Sequence, residues 1–102
     1  MLQDTSAARL KGKWVLITGA SSGFGAAAAR LFGAAECRLL LGARRVDRLE
    51  EAAAESRKAG ALEAHVHALD VASTPSVNAF AAWARERIAG AMPVAGAKPA
   101  AP

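Results

Sequence analysis

Residues 18–25, Thr-Gly-Ala-Ser-Ser-Gly-Phe-Gly, constrain the fold of this chain more than any other segment. They follow the apolar run 14–17 and precede the alanine-rich segment 26–32. A hydrophobic strand, a glycine-rich turn and the start of a helix therefore occur in that order. This arrangement directs backbone N–H groups and the positive end of a helix at an anion, as α/β proteins do for the phosphates of a dinucleotide.

The rest of the sequence continues the alternation of strands and helices. Apolar runs without polar alternation predict strands that are buried on both faces, as a parallel sheet requires. The predicted strands cover residues 13–18, 38–42 and 64–69, and the first two predicted helices cover residues 23–35 and 47–59. Gly60 is the expected stop of the second helix. A third helix is predicted from Ser73-Thr74-Pro75, an N-cap with proline at the first helical position, to Gly90.

This order predicts one mononucleotide-binding half of a doubly wound, Rossmann-type α/β fold. Strand–helix–strand crossovers within one sheet make the strands parallel. The expected architecture is an incomplete βαβαβα unit with three α/β/α layers over residues 13–89. Residues 1–12 are expected to form an N-terminal arm, and residues 90–102, mostly Ala, Pro and Gly, a disordered tail.

The glycine-rich turn supplies most of the expected binding residues. They are Gly19, Ser21, Ser22, Gly23, Phe24 and Gly25. Gly19 permits the tight turn off the strand, and Gly23 and Gly25 remove side chains where the cofactor and the first strand approach the helix. The two serines offer hydroxyls to phosphate or ribose oxygens. Glycines that serve packing alone are the alternative interpretation.

The glycine spacing of this turn resembles that of the short-chain dehydrogenase/reductase family. Leu-Lys-Gly-Lys-Trp-Val at residues 10–15 and Ala-Leu-Asp-Val at residues 68–71 also match the family's pattern. The resemblance covers residues 10–89. It implies that Asp70 bonds the adenine amino group and that the backbone at Val71 packs beside the base.

The residues that follow the second predicted strand indicate which dinucleotide binds. An NAD site usually has an acidic residue about 20 residues past the glycines, where it holds the ribose 2′-OH. Here the sequence is Gly-Ala followed by Arg44 and Arg45, and a guanidinium suits a 2′-phosphate through a charge-assisted contact. In the family this pattern implies NADP, so we expect NADP(H) as the cofactor and Arg44 as the selecting residue. Two solvated loop arginines are the alternative.

The resemblance implies a reaction that depends on a catalytic tyrosine, and the 102 residues contain none. The family continues with a fourth strand, a catalytic serine and a Tyr-x-x-x-Lys pair that exchanges a proton with the substrate oxygen. The sequence contains no tyrosine, and residues 91–99 are unsuited to a central strand because of their prolines and alanines. We expect an NADP(H)-binding N-terminal segment of an oxidoreductase that moves a hydride between the nicotinamide and a carbonyl, secondary alcohol or hydroxy acid. No catalytic residue is expected within it. A non-catalytic NADP(H)-binding protein and an interaction module are the alternatives.

Two departures from the family's pattern are expected to weaken the domain. In the complete family fold the first strand lies inside the sheet, so its outer edge, residues 15–18, has no predicted partner here and invites self-association. Glu36 stands where the family has a left-handed glycine, and Gly33 lies inside the first helix. Each of these two substitutions is expected to cost about 1 kcal/mol.

Composition and charge exclude other classes of protein. The net charge is +4, and the basic residues are scattered along the chain apart from one group at residues 44–48. No aromatic residues interleave with that group, so no nucleic-acid partner is expected. No apolar stretch approaches the ~20 residues of a membrane span, and a signal peptide is not evident, so we expect a cytoplasmic protein. Cys37 is expected to be a core thiol, and His65 and His67 polar positions on one strand face rather than metal ligands.

Overall fold

The computed structural model describes residues 9–91. Strand β1 spans Trp14–Thr18, helix α1 Gly23–Ala34, β2 Arg38–Ala43, α2 Val46–Ala59, β3 Glu63–Ala68 and α3 Thr74–Ala91. All the predicted elements are present in the predicted order, and each begins and ends within two residues of its predicted bounds. Most of the predicted N-terminal arm and most of the predicted tail lie outside the described residues.

The predicted ends of α3 need two corrections. The helix continues through Gly90 to Ala91, because Gly90 does not adopt the positive φ of a C-terminal cap and glycine is tolerated inside a helix at about 1 kcal/mol. At its start, the Ser73 Oγ accepts a hydrogen bond from the Ser76 N–H at 3.3 Å, as an N-cap does. Thr74 is therefore the first helical residue, and Pro75 occupies the second position rather than the first.

The three described strands form one parallel sheet in the order β1-β2-β3. Trp14 pairs with Arg38, and Arg38 with Glu63, so the three strands start in register and end at the same edge. Leu39 and Leu41 point to the face covered by α1 and α2, while Gly42 contacts α3. Because side chains alternate along a strand, α3 lies on the opposite face, over β3 and the end of β2, which gives the predicted α/β/α layers.

Small residues bring α1 and α2 close together over the first face. Ala29 of α1 and Ala53 of α2 are fully buried with Leu49 in the main core cluster. A Cβ atom at Gly33 would lie 2.6 Å from the backbone oxygen of Ser56, so the two helix backbones touch there. Gly33 is thus required by helix packing, a reason for glycine at this position that the sequence did not indicate.

The left-handed turn between α1 and β2 is formed as predicted. Glu36 has a φ of 63°, a conformation that favours glycine, and its carboxylate lies 3.2 Å from the Lys11 ammonium. The Glu36 carbonyl accepts a hydrogen bond from the Gly12 N–H at 2.9 Å, which ties residues before β1 to this turn. Gly60, with a φ of 132°, ends α2 as predicted.

A polar cluster covers the start of the sheet on the α3 side. The Arg38 guanidinium pairs with the Glu63 carboxylate, and His65 Nε2 lies 2.8 Å from Glu63 Oε1. The His65 ring also stacks on Trp14, with ring centroids 6.2 Å apart. The His65 hydrogen bond, followed by the Arg38 charge, holds the pKa of Glu63 below its ordinary value. The carboxylate form is therefore favoured by the fold.

We predict that Gly33→Ala destabilises the domain by about 1–3 kcal/mol, because the added methyl group overpacks the contact between α1 and α2. Gly90→Ala is the matched control, since no described atom lies within 4 Å of a Cβ at that position. The control is expected to stabilise by up to about 1 kcal/mol. Urea unfolding followed by circular dichroism measures both. A Gly33→Ala variant as stable as the wild type would contradict the close helix contact.

Acid is expected to destabilise the domain partly through Glu63. A carboxyl group whose pKa is lowered by folding contributes stability above its unfolded pKa and loses it as the pH falls through the folded pKa. The urea midpoint should therefore fall as the pH drops below about 4, and Glu63→Gln should flatten that dependence. Glu86→Gln, the same change on the exposed surface of α3, is the control. Identical pH profiles for the two variants would overturn this assignment.

Candidate functional site

Three loops at the carboxyl ends of the strands enclose one cleft of about 440 Å³. Because the strands are parallel, the loops after β1, β2 and β3 meet at the same edge of the sheet. The residues that line the cleft are Gly19, Ser21, Ser22, Ala43, Arg44, Arg45, Leu69, Asp70, Val71 and Ala72. Seven of the ten predicted site residues are among them, and the other three are Gly23, Phe24 and Gly25.

The turn after β1 is closed by its own hydrogen bonds. Gly19 has a φ of 67°, and its carbonyl accepts hydrogen bonds from the Ser22 N–H at 3.2 Å and the Ser22 hydroxyl at 2.9 Å. The Ser22 hydroxyl in turn accepts from the Gly25 N–H at 3.3 Å and so caps α1. The N–H groups of Gly23 and Phe24, at the first two helical positions, have no acceptor within the helix. They form the positive end of α1 at the rim of the cleft.

The two glycines in the first turn of α1 have different surroundings. A Cβ atom at Gly25 would lie 2.2 Å from the Gly19 carbonyl oxygen, so the helix can start this close to β1 only with glycine. The predicted role of Gly25 in close packing is confirmed. Gly23 meets no described atom within 4 Å of such a Cβ. Packing among the described residues therefore does not explain a glycine at position 23.

The loop after β2 places two arginines at the cleft, and they differ in their contacts. The Arg45 guanidinium lies 3.3 Å from the Asp47 carboxylate, and this hydrogen bond holds the pKa of Asp47 below its usual range. Arg44 has no ion-pair partner among residues 9–91. Arg44 is therefore the guanidinium available to an anion.

The loop after β3 is fixed mainly through Asp70. Its Oδ1 accepts a hydrogen bond from the Ala72 N–H at 3.0 Å, and its N–H donates to the Ser76 Oγ at 2.9 Å. The Asp70 carbonyl also accepts from the Ser73 N–H at 3.0 Å. Oδ2 takes no part in these bonds. Val71 is 72% exposed beside it and presents an apolar surface to the cleft.

Other chemically reactive side chains lie away from the cleft. Cys37 is fully buried, its Sγ donates to the Leu10 carbonyl at 3.5 Å, and burial raises the pKa of the thiol, so the predicted core thiol is confirmed. His65 contacts Glu63, and the His67 ring packs 4.9 Å from that of Trp83. Within residues 9–91 no three potential metal-ligating side chains come together. No helix in this range has both the length and the apolar character of a membrane span.

The sequence profile described as short chain dehydrogenase matches residues 13–94. The chain belongs to the short-chain dehydrogenase family. It is 47% identical over 68 residues to the sulfoacetaldehyde reductase of Chromohalobacter salexigens, an alignment that covers 67% of this chain and 26% of the reductase. This chain thus spans about a quarter of the length of the reductase.

Two solved oxidoreductase structures resemble this chain. The alcohol dehydrogenase of Thermococcus sibiricus, complexed with 5-hydroxy-NADP, is 44% identical with a TM-score of 0.70 and aligns over 76% of this chain and 33% of its own. The L-sorbose reductase of Gluconobacter frateurii, complexed with NADPH and L-sorbose, is 38% identical with a TM-score of 0.70 over 76% and 29% of the two chains. The aligned third of each structure has the same fold as this chain.

Sequence reasoning did not identify three of the residues that line the cleft. Ala43, Leu69 and Ala72 carry no polar side-chain chemistry, and each adjoins a residue that was predicted. Ala43 ends β2, and Leu69 and Ala72 lie in the loop that follows β3. This position is the signal that would have found them, since ligands of open α/β sheets bind outside the carboxyl ends of the strands. Phe24 was predicted at the site, but its side chain is 91% exposed and lies outside the cleft lining.

Proposed function

We propose that this chain is the NADP(H)-binding portion of a short-chain dehydrogenase/reductase. The observation that carries the proposal is the position of Arg44, which shares one cleft with the glycine-rich turn and Asp70 and has no ion-pair partner among the described residues. An acidic side chain at this place would repel a 2′-phosphate, whereas a guanidinium attracts it. The two solved oxidoreductase structures cited above hold NADP-type cofactors, which supports the same assignment.

The residues around the cleft fit the adenosine 2′-phosphate half of this cofactor. The free N–H groups of Gly23 and Phe24 and the positive end of α1 suit the pyrophosphate, and the open space at Gly23 lets it approach. Arg44, with Arg45 as a second charge, suits the 2′-phosphate. The free Oδ2 of Asp70 suits the adenine amino group. Val71 supplies an apolar wall beside the base.

In the proposed role, this chain binds and orients the cofactor. NADP(H), when bound, supplies or accepts a hydride at C4 of its nicotinamide. We assign the complete protein to oxidation of a secondary alcohol or hydroxy acid, or reduction of the corresponding carbonyl compound. The 102 residues contain no tyrosine, so we assign no catalytic residue to them and place proton transfer at the substrate oxygen outside this sequence.

Replacing Arg44 by alanine should weaken NADPH binding by about 10–100-fold, because a hydrogen bond to a charged group contributes roughly 1.5–3 kcal/mol. Binding of NADH should not change, since it lacks the 2′-phosphate. Isothermal titration calorimetry with both dinucleotides measures the two dissociation constants. Arg85→Ala is the control, because it removes the same charge from an exposed residue of α3 that lines neither this cleft nor the space beside Gly23.

The two variants together separate a specific contact from a general effect of charge. If both lowered NADPH affinity equally, net charge and not the position of Arg44 would explain the preference. If Arg44→Ala left the ratio of NADPH to NADH affinity unchanged, the assigned 2′-phosphate contact would be wrong. A wild-type chain that binds neither dinucleotide at millimolar concentration would overturn the proposed function.

The two edges of the sheet favour a second proposal, association through β1. Among residues 9–91, β1 pairs only with β2, and Leu16 in its middle is 49% exposed. The opposite edge differs, because the Arg57 guanidinium donates a hydrogen bond to the Ala64 carbonyl of β3 at 2.7 Å. This contact from α2 leaves the Ala64 carbonyl unavailable to an added strand and places a charge at the β3 edge, and both discourage strand addition. We propose that, in the isolated 102-residue chain, the β1 edge pairs with a second copy.

Leu16→Lys is expected to reduce this association, because a charge at the β1 edge opposes strand pairing. Sedimentation velocity over a range of protein concentrations measures the change. Leu62→Lys is the matched control, since Leu62 is 46% exposed and precedes β3 at the other side of the sheet. A wild-type chain that stays monomeric at all concentrations, or an equal effect of both variants, would contradict pairing through β1.

A further inference from the structure

Gly42 of β2 connects the three loops of the cleft. Its carbonyl oxygen accepts a hydrogen bond from the Ala20 N–H of the glycine-rich turn at 3.3 Å. The next residue, Ala43, accepts a hydrogen bond from the Leu69 N–H at 2.9 Å, and this bond begins the loop after β3. Arg44 follows directly. The backbone position of Gly42 therefore affects all three walls of the cleft.

Phe80 of α3 packs directly against Gly42. A Cβ atom at Gly42 would lie 2.6 Å from Phe80 Cε1 and 2.8 Å from Cζ, so the ring rests on the strand backbone without a gap. Phe80 is only 4% exposed. Its ring is held from other sides by His67, edge-on with centroids 5.9 Å apart, and by Trp83, with centroids 5.3 Å apart. The ring is thus fixed between α3 and the end of β2.

The loops of the cleft differ in how much other support they have. The loop after β3 has its own anchors, because Leu69 is buried and Asp70 bonds to both Ser73 and Ser76. Arg44, in contrast, is exposed and follows immediately after the end of β2. A displacement of that strand end would move Arg44 more than it moves Asp70.

We propose that Phe80 is a positioning residue for cofactor selectivity. Its ring, packed against Gly42, fixes the end of β2 and with it the place from which Arg44 reaches a 2′-phosphate. Phe80 itself does not line the cleft, so its effect passes through the strand backbone. This inference rests on the proposed function, and it adds a residue on the opposite side of the strand from the ligand.

Phe80→Leu tests the inference, because leucine lacks the Cε1 and Cζ atoms that touch Gly42. Dissociation constants for NADPH and NADH are measured by calorimetry on the whole 102-residue chain. We expect NADPH binding to weaken about fivefold more than NADH binding, since part of a charged hydrogen bond is lost. The two dinucleotides differ only at the 2′-phosphate. A purely structural role of Phe80 would therefore lower both affinities by the same factor.

The control is Phe32→Leu, the same change in α1, where the ring packs against the core on the other face of the sheet. This variant should leave the ratio of the two affinities unchanged. An unchanged ratio in Phe80→Leu, or an equal change in Phe32→Leu, would overturn the inference. If the wild type binds NADPH, the proposed function stands whether or not Phe80→Leu changes the affinity ratio. If the wild type does not bind NADPH, both the proposed function and the role of Phe80 are overturned.

A double-variant experiment tests the contact itself. Gly42→Ala places a methyl group against the Phe80 ring and should lower the preference for NADPH. In Gly42→Ala/Phe80→Leu the methyl group no longer meets Cε1 and Cζ, so part of the lost preference should return. Strictly additive effects on the affinity ratio would show that the contact does not position Arg44. If Gly42→Ala does not fold, Phe80→Leu and its control decide the question.

Discussion

The burial of β2 between two parallel neighbours is the constraint on which the rest of this structure depends. Leu39, Leu40 and Leu41 are at most 1% exposed, so both faces of this strand are covered. Such a strand is stable only if β1 and β3 satisfy its backbone hydrogen bonds and helices cover its side chains. The parallel register that results brings the ends of all three strands to one edge. The cleft at that edge is therefore a consequence of how the core is built.

The domain achieves this burial with small side chains, which makes close backbone contacts necessary. Gly25 against Gly19, Gly33 against Ser56 and Gly42 against Phe80 each leave no room for a methyl group. Alanines supply much of the remaining core, and each buries little area. The glycines at these contacts are therefore structural, whereas no described atom lies within 4 Å of a Cβ at Gly23, where we propose that the pyrophosphate approaches.

The two sides of the sheet have different roles. The face covered by α1 and α2 contains the main apolar core, and the other face carries the cluster of Arg38, Glu63 and His65 and the aromatic contacts of Phe80. The two edges of the sheet also differ. At the β3 edge Arg57 donates a hydrogen bond to the Ala64 carbonyl, whereas Leu16 of β1 is half exposed to solvent. The proposed cofactor cleft and the proposed association surface thus lie at different places, the carboxyl ends of the strands and the β1 edge. The two proposals can be tested independently for that reason.

Local sequence determined the element order, the parallel sheet, the glycine-rich turn and the candidate residue Arg44, whereas Asp70 was predicted from the resemblance to the family. Local sequence could do so because continuous apolar runs, glycine spacing and the position of a charge after a strand each have a local physical cause. Only the tertiary structure decided that Gly33 permits a helix contact with Ser56 and that Arg57 of α2 bonds to the Ala64 carbonyl of β3. The contact of Phe80 with Gly42 joins residues 38 positions apart, and nothing in either local segment indicates it. Such contacts depend on how folded elements pack, and packing distances are not encoded in the pattern of any one element.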